Sequence, residues 1–291
     1  MKIVKVKGGL GNQLFQYSYA CLLRHLSYDD VKIDMTAFED IINDSIRKPR
    51  LLKMKISLQT AEDNEINSIC FFKHKGNPLN QRYRLKIYLE KLLNRKYFLE
   101  RTRAYIDPCD IIEHQYFDGY WQSWRYVDTV WRELKDQFVP NYELHKSTQK
   151  MIDEVSNVNS VFIGIRRGDY SAEERHYGSF GNEYYQKAMD YITGRVDSPV
   201  FYVFSNDIPW VKENIDFRNR NVVFREPDDV VDDFEDLFIM AACRHSIIIN
   251  STYHWWGARL NEYDGKIVVA PQKWFFDDKP IDIVPPKWVR I

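Results

Sequence analysis

Val161 to Tyr170 reads VFIGIRRGDY, an apolar run that ends abruptly in two arginines, a glycine and an acid. The unbroken apolar character of Ser160 to Ile165 predicts a strand covered on both faces, as in a parallel sheet. Open α/β sheets bind ligands at the carboxyl ends of such strands. Arginine at that place offers a planar, permanently charged fork that grips two phosphate oxygens at once, which lysine does less well. Adjacent residues at a strand end point different ways, so Arg166 and Arg167 need not share a role. One can meet an anion while the other pairs with Asp169. Taken alone, the run fits a diphosphate clamp and a structural salt-bridge cluster beside a glycine turn about equally.

Toward the carboxyl terminus, apolar runs predict strands over Val200 to Ser205, Val222 to Phe224, Ile247 to Asn250 and Ile267 to Ala270. Helical patterns over Phe180 to Thr193, Asp232 to Cys243 and Tyr253 to Leu260 separate them. Strands alternating with helices imply parallel β-α units from Ser160 to Pro271. In IIINSTYHWWGARL, Ser251 and Thr252 fall where a strand ends and a helix starts. They can cap that helix, and its first-turn N–H groups favour an anion. Trp255 and Trp256 fit core packing. The Arg-Arg and Ser-Thr segments can converge on one ligand, because both follow strands of what should be one sheet. Glu235-Asp236 offers a carboxylate suited to the N1–H and N2–H donors of guanine, although such helix-face acids are commonly just solvated. FSND, Phe204 to Asp207, puts Asn206 in a polar turn that suits either ligand contact or turn capping.

Toward the amino terminus, Met1 to Lys7 reads as a strand and GGLGNQ, Gly8 to Gln13, as a turn leading into a helix over Asn12 to His25. The spacing of Gly8, Gly9 and Gly11 is neither the dinucleotide fingerprint nor a P-loop. Glycines there let backbone approach a ligand, and Asn12 and Gln13 add neutral amides at a helix start. Val31 to Asp34 predicts another strand, followed by a charged, mostly helical middle to about Lys96. Within it, Arg82 to Arg103 holds eight Lys or Arg against two Glu, with Leu85, Leu89, Leu92 and Leu93 near helical spacing. That is a basic amphipathic helix, fit to be a solvated face or to dock on anionic lipid. FDGYWQSW, Phe117 to Trp124, reads as an aromatic turn, its Tyr120 to Trp124 segment able to wall a pocket. Val127 to Val139 predicts a helix ending before Pro140. The domain boundary is expected near Lys146 to Asn159.

The 291 residues carry a net charge of −1 and 44% hydrophobic residues, the balance of a globular protein rather than a nucleic-acid-coating one. Anion chemistry must therefore come from local clusters. The four cysteines are dispersed without a C-x-x-C pair, which argues against a zinc site or a disulfide framework and fits a reducing cytosol. MKIVKVKGGLGNQ lacks the apolar run of a signal peptide, and no stretch approaches a membrane span. No Asp-x-Asp occurs, so no carboxylate pair is evident to bridge a divalent metal to a diphosphate.

The blocks GGLGNQLFQYSYA, IRRGDY, FSND and EDLFIMAACRHSIIINSTYHWWGARL, in that order, resemble the α-1,2-fucosyltransferases of glycosyltransferase family 11 over nearly the whole chain. The resemblance implies an α/β, GT-B-like fold of two Rossmann-type domains facing a central cleft. Residues 1–150 would form the acceptor-side domain with its helical middle. Residues 151–291 would bind the donor, the C-terminal tail packing back on the first domain. The implied reaction is inverting, metal-independent transfer of L-fucose from GDP-β-L-fucose, a co-substrate rather than a cofactor, to the 2-hydroxyl of a galactoside. Bacterial surface glycan synthesis, O-antigen or capsule, would be its setting. The implied partners are a galactose-terminated, lipid-linked acceptor and an anionic membrane met through residues 82–103 at the cytoplasmic face, with no nucleic acid.

Carried over by position, Arg166 resembles the arginine that binds the donor β-phosphate, with Arg167, Gly168 and Asp169 completing its loop. Asp236 resembles the carboxylate that reads guanine, and Ser251 and Thr252 the phosphate-side hydroxyls. Asn12 resembles the amide facing the fucosyl diphosphate from the opposite domain, with Gly9 and Gln13 beside it. Arg166, Asp169 and Asn12 are the catalytic candidates. For a general base, Asp169, Glu173, Glu174 and His176 lie near the arginine loop without one standing out; Glu174 resembles a glutamate of related α-1,6-fucosyltransferases. Many members have His two residues before the first arginine, where this chain has Gly164, so no imidazole is expected from that position. Two other readings stand beside this one: transfer of another sugar from another nucleotide, and a nucleotide- or carbohydrate-binding protein of the same fold without turnover.

Overall fold

The structure is a computed structural model that describes residues 1–39, 48–72, 81–166, 180–226, 232–276 and 280–291. The chain divides into two compact units, Met1–Tyr142 with Pro280–Ile283, and Glu143–Lys279 with Val284–Ile291. Both are α/β with parallel sheets.

The first unit contains β1 (Lys2–Lys5), α1 (Leu10–Ser27), β2 (Val31–Asp34), α2 (Asp63–Ile69), α3 (Gln81–Leu93), β3 (Tyr97–Leu99), β4 (Tyr116–Asp118), α4 (Trp124–Thr129) and α5 (Trp131–Gln137). Its sheet runs β2-β1-β4-β3 with every pair parallel. Strand β1 is buried throughout, because neighbours flank it on both edges and α1 lies against it. Three local expectations change here. The aromatic turn begins as a strand, β4, too short for its alternation to be legible. The helix expected over Val127 to Val139 is two helices broken at Val130, whose φ of −113° leaves the helical range. The basic run is not one helix either. Asn94 stops α3: its Nδ2 donates to Ile69 O at 2.6 Å, and its Oδ1 accepts from Lys96 N at 2.9 Å, which turns the chain into β3.

The second unit contains α6 (Lys146–Ser156), β5 (Ser160–Ile165), α7 (Asn182–Thr193), β6 (Val200–Ser205), α8 (Ile208–Asn214), β7 (Asn221–Phe224), α9 (Asp236–Ala242), β8 (His245–Ile247), α10 (Thr252–Leu260), β9 (Val268–Ala270) and β10 (Val289–Arg290). The domain boundary, expected near Lys146 to Asn159, falls at Tyr142/Glu143, and that stretch is mostly helix α6 of this unit. Six strands pair in parallel in the order β10-β9-β8-β5-β6-β7. The first strand thus lies in the middle, the next two on one side and the last three on the other. That is the order of doubly wound dinucleotide-binding sheets. All six residues of β5 are buried, as its apolar run requires for a central strand. Alternation sorts them: Val161, Ile163 and Ile165 join Tyr185, Met189, Val203 and Ile247 in one core, while Phe162 and Gly164 meet α10 on the other face. Strand β8 lies earlier than the expected Ile247 to Asn250: it runs His245–Ile247, and its ladder to β5 stops at Ile163 opposite Ile247.

Candidate functional site

In the second unit the winding reverses between β5 and β8. A crevice therefore opens outside their carboxyl ends, because the crossovers from the two strands leave in opposite directions. Arg166 follows β5 directly. Past β8, Ser251 occupies the N-cap position of α10 and Thr252 its first turn. Topology thus puts the first arginine and the Ser-Thr helix start at one switch point. Ser251 is buried, yet its side chain makes no capping hydrogen bond, so capping does not account for its hydroxyl. Trp255 and Trp256 are fully buried core residues, as expected. Arg167, Gly168, Asp169, Glu173, Glu174 and His176 lie outside the described residues.

Gly164 carries a consequence the sequence did not disclose. An ideal Cβ placed on it would lie 2.3 Å from His254 Nδ1, 2.5 Å from Cγ and 2.6 Å from Cε1. The imidazole of His254, in the first turn of α10, occupies the volume that any side chain at 164 would need. It is 6% exposed, and among the described residues its Nδ1 has no hydrogen-bond partner. Burial, reinforced by the nearby Arg166 charge, pushes its pKa down to about 3. The ring is therefore neutral at physiological pH.

Around the rest of this sheet the candidates separate. Glu235 is buried and consumed by structure: it accepts from Thr148 Oγ1 at 2.5 Å and from His145 N at 3.1 Å, which ties α6 to α9. Asp236 accepts from Arg225 Nε at 2.9 Å. Burial raises its pKa, with Arg225 opposing. Arg225 stands just past the end of β7 and was missed in the sequence, although an apolar strand running into an arginine is the same signal that singled out Arg166. In FSND, Ser205 Oγ accepts from Asp207 N and Asp207 caps α8 by accepting from Trp210 N at 3.1 Å. Capping thus explains those two residues, and Asn206 is left exposed between them.

The first unit has its own reversal, between β1 and β4, and it brings GGLGNQ beside FDGYWQSW. Gly8 has φ +81°, a conformation that favours glycine, and a Cβ there would come within 2.9 Å of Asn12 Nδ2. Gly9 is the N-cap of α1, its carbonyl accepting from Asn12 N and Gln13 N. Asn12 Oδ1 accepts from Gln122 Nε2 at 2.9 Å, so the aromatic segment holds the amide side chain. Gln13 is not placed to meet a ligand. It is buried, its Nε2 donating to Gly8 O and Lys48 O and its Oε1 accepting from Leu51 N. Nor is Trp121 a pocket wall: it is fully buried, adopts φ 54° and stacks on Tyr19 at 3.9 Å. Tyr120 remains exposed, with Lys7 Nζ 5.1 Å above its ring. Beneath this turn, buried Asp118 accepts from Lys7 Nζ and from Tyr97 Oη at 2.8 Å, with Lys5 Nζ 4.0 Å away. Burial works against its charge, but Lys7 and Lys5 outweigh it and hold Asp118 well below the usual carboxylate range.

The second unit is a doubly wound α/β sheet that brings an arginine and a helix start to its switch point. The chain belongs to glycosyl transferase family 11, whose model matches residues 1–291, and it is a glycosyltransferase. It is 29% identical to the O-antigen biosynthesis glycosyltransferase WbnK of Escherichia coli, over 98% of this chain and 99% of that one. It is 27% identical to an alpha-1,2-colitosyltransferase of Escherichia coli, over 99% and 98% of the two chains. With galactoside alpha-(1,2)-fucosyltransferase 1 of Ateles belzebuth it shares 28% identity over 60% of this chain and 51% of that protein.

Proposed function

We propose that this glycosyltransferase moves L-fucose from GDP-β-L-fucose to the 2-hydroxyl of a galactoside, with inversion and without a divalent metal. The observation that carries the reading is Arg166 beside the start of α10 at the β5/β8 reversal, in a chain of this family. As the glycosidic bond breaks, negative charge grows on the departing diphosphate and positive charge on the sugar. Arg166 and the first-turn N–H groups of α10 stabilise the former, with the hydroxyls of Ser251 and Thr252 beside them. Asp236, oriented by Arg225, receives the guanine edge, and Asn206 lies beside the nucleotide. On the first unit, Asn12, held by Gln122, offers its amide to a sugar. Family membership and the fucosyltransferase relative support this reading. A second reading, transfer of colitose, is favoured by the colitosyltransferase relative, which matches along its whole length.

A donor panel of GDP-fucose, GDP-colitose, GDP-mannose and UDP-galactose against a glycan array separates the two. Transfer from GDP-fucose to terminal galactose, with an α-1,2 linkage in the product, is expected. Transfer from GDP-colitose alone would establish the second reading, and GDP binding without transfer to any acceptor would make the chain a binding protein.

The acceptor reading extends to lipid-linked glycans at an anionic membrane. No described helix is long and apolar enough to cross a bilayer. On α3, Leu85, Tyr88, Leu92 and Leu93 are each more than half exposed. Glu90, the helix's single acid, is fully buried, accepting from Phe71 N and Phe72 N at 2.9 Å. The outward surface is thus apolar and cationic, with Arg82, Arg84 and Lys86 exposed, a combination that suits the interface of an anionic bilayer. Vesicles rich in phosphatidylglycerol are expected to sediment the protein in low salt and release it in high salt, and phosphatidylcholine vesicles to leave it in solution. Equal partition to both lipids would remove the electrostatic docking.

A further inference from the structure

The buried, polar His254 ring is a site feature that neither capping nor core packing explains. Its burial leaves Nδ1 without a partner among the described residues, a cost of about 1–3 kcal/mol for a polar group taken from water. An apolar side chain would fill the same space without that cost, so the polarity of the ring asks for a reason. The atoms nearest the Gly164 Cβ position are Nδ1, Cγ and Cε1, so the Nε2–Cδ2 edge is the one turned away from β5. With Nδ1 pressed toward bare glycine backbone and offered no acceptor, a proton there would be wasted. The neutral ring therefore carries its proton on Nε2. The position suits a neutral donor: it lies in the first turn of a nine-residue helix, whose positive end and neighbouring Arg166 both oppose an imidazolium.

We propose that His254 is a ligand-positioning residue that presents a neutral Nε2–H to the diphosphate of the nucleotide sugar at the β5/β8 switch point, in a slot that exists only because residue 164 is glycine. The proposal rests on the nucleotide-sugar reading above and assigns a further contact to it. Arg166 supplies charge from the strand side, and His254 supplies direction from the helix side. A fixed neutral donor orients a phosphate oxygen without titrating across physiological pH, which an ordinary surface histidine near pH 6.5 would do.

Calorimetric titration of the full chain with GDP, UDP and ADP, alongside thermal melting, tests both levels. In His254→Leu the slot stays filled but the N–H is gone, and affinity for the preferred diphosphate is expected to fall about tenfold or more. In His254→Gln an amide N–H stands near the Nε2 place, and affinity should return to within about threefold of wild type. His254→Leu, which buries no unpaired ring nitrogen, should melt no lower than wild type, and His254→Gln close to it. Unchanged binding in His254→Leu would overturn the proposal, and so would equal weakening in both variants, which is the signature of mere packing. Wild-type binding of UDP or ADP in preference to GDP would correct the donor while His254 is judged on that nucleotide. Failure of wild type to bind any of the three would overturn both readings together.

Discussion

Arg166→Ala is expected to lower fucosyl transfer by about 10³-fold or more while the protein remains folded. A single preorganised neutral donor aimed at a developing oxyanion is worth about 10²–10³ in rate, and a charged guanidinium on a departing diphosphate should exceed that. The side chain follows a fully buried strand, so its position is set by a sheet that the substitution does not touch. Arg166→Lys keeps the charge but loses the planar two-oxygen grip, and should fall between wild type and alanine. Steady-state transfer with saturating GDP-fucose, together with the melting temperature, measures this. Turnover of Arg166→Ala near that of wild type would take the arginine out of the mechanism.

The second large effect concerns stability. Asp118→Ala removes the carboxylate that pairs with largely buried Lys7 and faces buried Lys5 at 4.0 Å. Breaking a buried pair from one side costs about 3–5 kcal/mol, far more than the pair's net worth. Urea denaturation should show that loss, and a change below about 1 kcal/mol would contradict it. The pH dependence has a definite sign. The folded pKa of Asp118 is depressed, so its contribution is fully present above the unfolded value near 3.9 and is lost as pH falls toward the folded value. Wild type should therefore lose stability below about pH 4 more steeply than Asp118→Asn, which has no proton to gain.

Much of this was legible before any coordinates. Ser160 to Ile165 and Val200 to Ser205 are strands at the bounds their apolar runs predict, because a central parallel strand must be apolar on both faces and has nowhere to hide a polar residue. Elements of two or three residues, such as β4 and β10, were not legible: so short a strand carries no readable period, and its neighbours define it. Helix α6 escaped for a different reason. Its polar, amphipathic surface resembles that of a linker until Thr148 is seen bonded to Glu235.

For the site, the sequence by itself determined the chemistry on offer: an arginine after a buried strand, hydroxyls at a helix start, and a glycine turn followed by amides. Each is a local pattern, written in residues a few positions apart, which is why one chain suffices to read it. Only the tertiary structure decided which partners these groups meet within the fold. Gln13 and Glu235 carry side chains as suitable as Asn12 and Asp236, yet their hydrogen bonds are spent on Leu51, Lys48, Thr148 and His145, partners set by packing rather than by spacing. Gly164 reads in the sequence as a missing imidazole, but 90 residues later the chain returns one, His254, to the same volume. That exchange depends on β5 lying under α10, and long-range placement of this kind is fixed by the winding of the sheet, not by any motif.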